Sequence, residues 1–105
     1  MTSGQQEQRQ AKRFTYVCEA RCETHGGLSI DRITTLSATG AWIETSDPPA
    51  EGSIFKLYFT AGLMDVTTQA KVVHRVPGKG MGVAFQNLSP QHREAITALS
   101  GDTLR

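Results

Sequence analysis

The sequence predicts a mainly β protein, a six-stranded antiparallel β-barrel with one C-terminal α-helix. Three observations indicate this fold class. Short segments with alternating apolar and polar residues follow one another, glycine-rich turns separate them, and a helical period appears only near the C-terminus. The 105 residues suit one domain, which we place at 9–101, between a disordered polar leader at 1–8 and a tail at 102–105.

Turns of small residues separate the first three predicted strands. Segment 15–24 alternates well, and residues 25–27 give a hairpin signal. Segment 28–36 is the return strand, rich in Ile and Thr but less regular in its pattern. Small residues at 37–40 mark a turn or bulge before a short strand at 41–45. The residues predicted to share the inner face of the first strand are Tyr16, Cys18, Ala20 and Cys22.

Two further strands follow a proline-containing surface loop at 47–52. The strand at 53–60 directs its large apolar residues inward, and a turn at 61–62 leads to a long strand at 66–76. The inner-face residues predicted for these two strands are Phe55, Leu57, Phe59, Val66, Thr68, Ala70 and Val72.

A sixth strand and a helix complete the predicted fold. The turn at 77–80 precedes a strand on which Gly82 faces outward and leaves room for a neighbour. Ser89 is a suitable N-cap, Pro90 fits the first helical position, and Gly101 fits the residue beyond the helix. We expect the apolar helical stripe to lie on the sheet. Its members are Ala95, Ile96, Ala98 and Leu99.

The bulk properties exclude several classes of partner. The formal net charge is +1, so an anion site must be local, and we expect no nucleic-acid partner. No apolar run approaches the roughly 20 residues of a membrane-spanning helix, so we expect no membrane insertion. Residues 1–6 lack the pattern of a secretory signal, which leads us to expect a cytoplasmic protein.

The residue pattern favours binding over catalysis. The sequence has no serine elbow, no paired carboxylates on one element and no glycine-rich phosphate loop, so we predict that the protein is not an enzyme. Its three histidines are scattered, and we predict neither a metal site nor a cofactor. Cys18 and Cys22 would lie about 13 Å apart on one strand, too far for a mutual disulfide, and are predicted to be reduced thiols.

Positive charge is concentrated just before the first strand. Arg9 and Arg13 lie four positions apart, with Lys12 between them. Two interpretations are open for this arm. The guanidinium groups can bind phosphate with two parallel hydrogen bonds and stack on purines, or the arm is a solvated lead-in to the strand.

The turn at 37–40 is a second candidate anion site. A small hydroxyl residue and exposed backbone amides at a bend can hold a phosphate or the edge of a purine. Trp42 follows on the predicted outer face. It is either a stacking group for a ligand or a barrel-wall residue that the arm or the helix covers.

The order and spacing of these motifs carry a family resemblance. An Arg-x-x-x-Arg arm is formed by Arg9 and Arg13, and a turn of the type [Asp/Asn]-x-Ser-x-x-Gly corresponds to Thr35, Ser37 and Gly40. Together with the strand that follows the arm, these motifs resemble the PilZ domain family.

The resemblance covers about residues 9–100. A Gly-x-Gly-Val-x-Phe strand at 80–85 is similar to a strand of the family, and Glu7 also suits the family's arm. The resemblance implies a barrel that binds the bacterial second messenger cyclic di-GMP. It further implies a signal relayed to an unidentified protein effector in motility, biofilm or surface-apparatus control.

The family also implies the ligand contacts. Its two arginines hold phosphate and stack on guanine, and the serine and glycine of its turn meet the ligand on the outer face of the barrel. The ligand-binding residues implied here are Arg9, Arg13, Thr35, Ser37 and Gly40. Trp42 is a further candidate because of its predicted place on the outer face, not because of the family motif.

One position departs from the family pattern. Thr35 stands where the family has Asp or Asn. Its hydroxyl has a shorter reach toward a guanine edge than a carboxylate or amide, so we expect binding weaker by about 1–3 kcal/mol. A divergent PilZ adaptor that acts only through protein contacts is therefore the alternative function. A nucleic-acid-binding barrel is a third hypothesis, which the near-zero net charge and single tryptophan disfavour.

Overall fold

The structure, a computed structural model, describes residues 12–100 and contains six strands followed by one helix within them. The strands are β1 (Phe14–Thr24), β2 (Gly27–Leu36), β3 (Gly40–Glu44), β4 (Ile54–Ala61), β5 (Met64–Val76) and β6 (Gly80–Gln86), and the helix is α1 (Pro90–Leu99). The β4–β5 turn lies at 62–63 rather than 61–62. The predicted leader at 1–8, Arg9, Gly101 and the tail at 102–105 fall outside the described residues.

The strands close into a barrel in the order β1-β2-β3-β6-β5-β4, and every neighbouring pair is antiparallel. Two pairings join strands that do not follow one another in the chain, β3 with β6 and β1 with β4. In the latter pair, Arg21 lies opposite Tyr58 and Glu23 opposite Lys56. This architecture confirms the predicted fold class.

The predicted inner faces form a single apolar core. Phe55, Leu57 and Phe59 of β4 are buried, whereas Lys56 between them is exposed. Burying one such side chain contributes roughly 1.5–3 kcal/mol relative to leaving it exposed. The largest fully buried apolar side chains are Ile33, Leu36, Ile43, Leu57, Met81, Ile96, Val66 and Val72.

The strand pairings shift register at three places. The shift near the start of β1 leaves the alternation of that strand intact, whereas the other two interrupt it. In β2, Thr34 is an extra residue relative to β3, so Ile33 and Leu36 are both 0% exposed although they lie three positions apart. In β5, Val73 is an extra residue relative to β6, and His74 after it is exposed. The bulge at Thr34 and the exposed apolar residues Leu28 and Ile30 together explain why the pattern of the second predicted strand is irregular.

The loop between β3 and β4 is fastened to β5 although it has no regular structure. The Nε and Nη2 atoms of Arg75 donate to the carbonyl oxygen of Pro48 at 3.1 and 2.9 Å. The backbone N–H of Gly52 donates to the carbonyl of Val72 at 2.7 Å. These contacts satisfy loop polar groups that would otherwise be left beside the barrel wall without partners.

Tyr16 ties the start of β1 to the β4–β5 hairpin. Its hydroxyl donates to the carbonyl oxygen of Thr60 at 3.1 Å and accepts from the backbone N–H of Gly62 at 2.9 Å. The ring of Phe14 packs edge-on against Tyr16, with 6.5 Å between centroids. The first residues of β1 are therefore held by side chains as well as by strand pairing.

Helix α1 begins as predicted. The Oγ of Ser89 accepts from the backbone N–H of His92 at 3.1 Å, and Pro90 occupies the first helical turn. Among residues 12–100, no helix has the length and apolar character needed to cross a membrane.

The predicted helical stripe is correct at three of its positions and wrong at one. Ile96 is 0% exposed, and Ala95 and Leu99 pack against the core. Ala98 is exposed. Because successive helical residues are rotated by about 100°, position 98 lies about 200° around the helix from Ile96 and faces away from the barrel.

The two cysteines are free thiols on the inner face of β1, as predicted. Burial raises the pKa of Cys18, and it raises the pKa of Cys22 to about 12, with a further contribution from the carboxylate of Asp31. Both thiols therefore stay protonated at neutral pH and behave as small apolar groups.

The protonated state of Cys22 predicts a loss of stability in alkali. The unfolded chain releases this proton near pH 8.5–9, whereas the folded chain keeps it to about pH 12. Between these values the unfolded state binds fewer protons, so the free energy of unfolding falls by up to about 1.4 kcal/mol per pH unit. Urea unfolding between pH 8 and pH 10.5 measures this slope, and Cys22→Ala should show a shallower one. Parallel slopes for the two proteins would contradict the prediction.

Candidate functional site on the outer barrel wall

The first strand begins beside the turn that follows the second strand. Phe14 lies opposite Leu36 in the β1–β2 pair, and the turn at 37–39 comes directly after Leu36. Arg13, which is exposed and immediately precedes β1, therefore enters the wall next to this turn. The structure thus brings Arg13 and the predicted turn motif together, while Arg9 lies outside the described residues.

A row of paired residues crosses the outer wall from this point. Strand pairing gives, in order, Thr15, Thr35, Trp42, Gly82 and His74. We refer to these positions as the outer row. Arg13 precedes Thr15 by two residues and is exposed, and continuing the alternation of β1 back to it assigns both side chains to the same face.

The two bulges turn Thr35 and His74 of this row outward. If the strand alternated regularly through Thr34, Thr35 would share the inner face of Ile33. If it alternated regularly through Val73, His74 would share the inner face of Val72. The sequence analysis treated the three histidines as scattered and missed the place of His74 in this row. The adjacent apolar pair at 72–73, in an otherwise alternating strand, is the signal that could have revealed the bulge.

Ser37 shapes the turn from within. Its side chain is 2% exposed, and its Oγ accepts from the backbone N–H groups of Thr39 and Gly40 at 3.2 and 3.1 Å. The backbone N–H of Ser37 donates to the Gly40 carbonyl at 2.9 Å. The hydroxyl is thus engaged inside the turn, and contact between Ser37 and a ligand stays a prediction.

Gly40 lets the turn approach β6. A Cβ atom at this position would collide with the backbone carbonyl oxygen of Val83. The backbone N–H of Phe85 donates to the Thr39 carbonyl at 2.8 Å, which fastens the turn to the same strand. Gly40 therefore has a packing role in this fold, and its predicted contact with a ligand stays a prediction.

The indole of Trp42 lies against β6, where two glycines leave space. A Cβ at Gly82 would lie 3.7 Å from Trp42 Cε3, and one at Gly80 would lie 3.0 Å from Trp42 Cζ2. The room predicted beside Gly82 is thus occupied by this ring. Trp42 is partly buried and packs against β6, and contact between Trp42 and a ligand stays a prediction.

The wall offers the chemistry of a site for an anionic, planar ligand. Arg13 supplies a permanently charged group with several donors, Thr15 and Thr35 supply hydroxyls, and Trp42 supplies an aromatic surface. Within residues 12–100, no group of three or more His, Cys, Asp or Glu side chains could hold a metal ion. The thiols with raised pKa values lie on the opposite, inner face of β1.

A protein-family model described as the PilZ domain matches residues 7–101. This range contains both arginines of the arm, the turn at 37–40 and the whole described barrel. No curated protein matches the sequence.

Solved structures share this fold at low sequence identity. The inhibitor of motility MotI/DgrA from Bacillus subtilis gives a TM-score of 0.73 at 15% identity, over 87% of this chain and 48% of that one. YcgR from Escherichia coli, in complex with c-di-GMP, gives a TM-score of 0.72 at 16% identity, over 89% of this chain and 44% of that one. The PilZ domain of YcgR from Escherichia coli with c-di-GMP gives a TM-score of 0.69 at 17% identity, over 87% of each chain. The present chain spans about half the length of the first two proteins.

The close approach at Gly40 makes a testable prediction. Gly40→Ala should lower the free energy of unfolding by about 1–3 kcal/mol, because the added methyl meets the Val83 carbonyl. Chemical denaturation followed by circular dichroism measures the change. Gly26→Ala is the matched control, since the nearest atom to a Cβ there is Thr24 Oγ1 at 3.8 Å, and it should lose no stability. Equal losses in both variants would disprove the packing role of Gly40.

Proposed function

Because the chain belongs to the PilZ domain family, we propose that it binds cyclic di-GMP on the outer barrel wall and relays the signal to a protein effector. The proposed setting is the control of motility, biofilm formation or a surface apparatus. We propose a cytoplasmic location, since the ligand is a bacterial second messenger. The function is one of binding, and it requires no catalytic group.

The observation that carries the proposal is the position of Arg13 beside the turn at 37–40. The ligand combines two phosphates with two flat guanine bases. A guanidinium group can bind phosphate with two hydrogen bonds and stack on a purine face. We assign these contacts to Arg13 and to Arg9, the other arginine of the arm. The E. coli YcgR domain that shares this fold was solved with c-di-GMP, which supports the choice of ligand.

Ser37 and Gly40 take part through the turn that they shape. The Ser37 hydroxyl already accepts two backbone N–H groups, so its proposed contribution is to hold the turn in the binding geometry. Gly40 keeps the turn close to β6. Thr35 lies next to the turn in the outer row, where a ligand held by Arg13 would meet its hydroxyl.

We propose that the signal reaches the effector because the arm and the barrel wall both contact the bound ligand. A nucleotide bound between the residues at 9–13 and the outer row would fix the arm against the barrel. An effector that contacts this side of the protein would then meet a different surface in the bound state. The motility role of the B. subtilis protein with this fold suits such a partner.

Isothermal titration calorimetry with cyclic di-GMP tests the proposal. The wild-type protein should bind, and Arg9→Ala and Arg13→Ala should each weaken binding by at least about tenfold, since hydrogen bonds to charged groups contribute about 1.5–3 kcal/mol. Arg21→Ala is the matched control. Arg21 is also exposed on the outer face of β1 but lies opposite Tyr58, far along the strand from the turn, so its loss should not change the affinity.

The same titration can refute the proposal. No heat of binding at millimolar cyclic di-GMP would contradict a receptor function. A loss of affinity in Arg21→Ala as large as that in Arg13→Ala would show that general positive charge, not the arm, attracts the ligand.

A second prediction concerns Thr35. Thr35→Asp should bind cyclic di-GMP more tightly by about 1–3 kcal/mol, because a carboxylate reaches a guanine edge that the hydroxyl leaves without a partner. Thr35→Val, which keeps the shape but loses the hydroxyl, is the control and should not gain affinity. Calorimetry under the same conditions measures both variants, and an unchanged affinity in Thr35→Asp would contradict a limiting role for this position.

A further inference from the structure

We infer that Trp42 is the stacking platform for a purine base of the ligand, an inference that rests on the proposed nucleotide site. Trp42 occupies the middle of the outer row, with Thr35 on one side and Gly82 on the other. The row starts next to Arg13, so a cation and an aromatic ring share one face of the wall. Nucleotide-binding surfaces combine these same two elements, positive charge for the phosphate and aromatic rings for the base.

The indole is held in position before any ligand arrives. Its six-membered ring lies over β6 between Gly80 and Gly82, with Cζ2 close to the first and Cε3 close to the second. A larger residue at Gly80 would also collide with the carbonyl of Ile43. Because the strand supports the ring, stacking a base on it requires little further ordering of the side chain, and pre-organisation of this kind favours affinity.

His74 extends the aromatic surface toward β5. The imidazole and indole centroids lie 6.4 Å apart, with 41° between the ring planes. A Cβ at Gly82 would lie 3.8 Å from His74 Cβ, and Gly82 itself is buried beneath the two side chains. Trp42 and His74 thus cover the glycine together. His74 remains exposed, so the surface that they present is accessible to a ligand.

The spacing along the row fits a nucleotide. Neighbouring strands lie about 4.8 Å apart, so two strand spacings, or roughly 10 Å, separate the Arg13 end of the row on β1 from Trp42 on β3. A nucleotide whose phosphate contacts Arg13 can reach Trp42 with its base. Thr35 lies between them and is short enough to let the base pass over it.

Stacking also accounts for how this chain can bind without Asp or Asn at position 35. A base held by its flat face does not depend on a hydrogen bond to its edge, because every base offers a π face. Trp42 on β3 therefore supplies a base contact one strand along the row from Thr35 on β2, and an edge hydrogen bond from position 35 would add to it.

The sequence contains one tryptophan, so tryptophan fluorescence, excited at a wavelength that its two tyrosines do not absorb, reports on position 42 alone. Titration of the full chain with cyclic di-GMP should quench this fluorescence and saturate at the concentration at which calorimetric binding saturates. In calorimetry, Trp42→Leu should bind at least about tenfold more weakly, and Trp42→Phe should lose less, since base–aromatic stacking contributes about 1–3 kcal/mol per base. Thermal unfolding of each variant shows whether it is folded.

The matched control is Tyr58→Leu, which removes another partly buried aromatic side chain of the outer wall, on β4 opposite Arg21. Its affinity should equal that of the wild-type protein. Trp42→Leu removes more of the packed ring than Trp42→Phe and is at greater risk of not folding. If it fails to fold, the quenching of the wild-type protein and the affinity of Trp42→Phe test whether Trp42 stacks on the base. Wild-type binding without quenching, and with unchanged affinity in the Trp42 variants, overturns this inference alone. No binding by the wild-type protein overturns both the inference and the proposed function.

Discussion

The wall of a small barrel must bend and close while its apolar side chains stay inside, and the bulges at Thr34 and Val73 meet that constraint here. Each inserts one residue into a strand, so Ile33 and Leu36 can both face the core. After each bulge, the residues that follow face the opposite side of the sheet from the side that regular alternation would give them. The outer row that we associate with binding is therefore a direct consequence of how the barrel closes.

Much of the fold could be predicted because alternation of apolar residues is a local property of the chain. The β4 residues Phe55, Leu57 and Phe59 show it without interruption, and all three are buried. A bulge is harder to predict, because it changes the facing of later residues without changing composition. Thr34 and Thr35 are identical, so nothing in the sequence says which of them is the extra residue. The exposure of Ala98 depends in turn on which side of α1 rests on the barrel.

One juxtaposition in the candidate site could be predicted. The family resemblance implied that Arg13 and the turn at 37–40 act together, and antiparallel pairing of β1 with β2 brings these two segments side by side. The packing role of Gly40 could not be predicted, because it depends on a carbonyl of Val83 on a strand that comes much later in the chain. Residues that the family motif associates with a ligand thus also hold the wall together. Loss of binding in a Ser37 or Gly40 variant is informative only alongside its stability.

The pairing of β1 with β4 has a consequence for folding. The hydroxyl of Tyr58 on β4 donates to the carboxylate of Glu23 on β1 at 3.0 Å, across 35 positions of the chain. Pairings between such distant segments slow the folding of β proteins. Until β4 arrives, β1 is the edge of a partial sheet and can pair with another molecule. Glu19, Arg21 and Glu23 are exposed along that strand, and charged side chains discourage edge-to-edge association. These charges protect an edge that exists only while the protein folds.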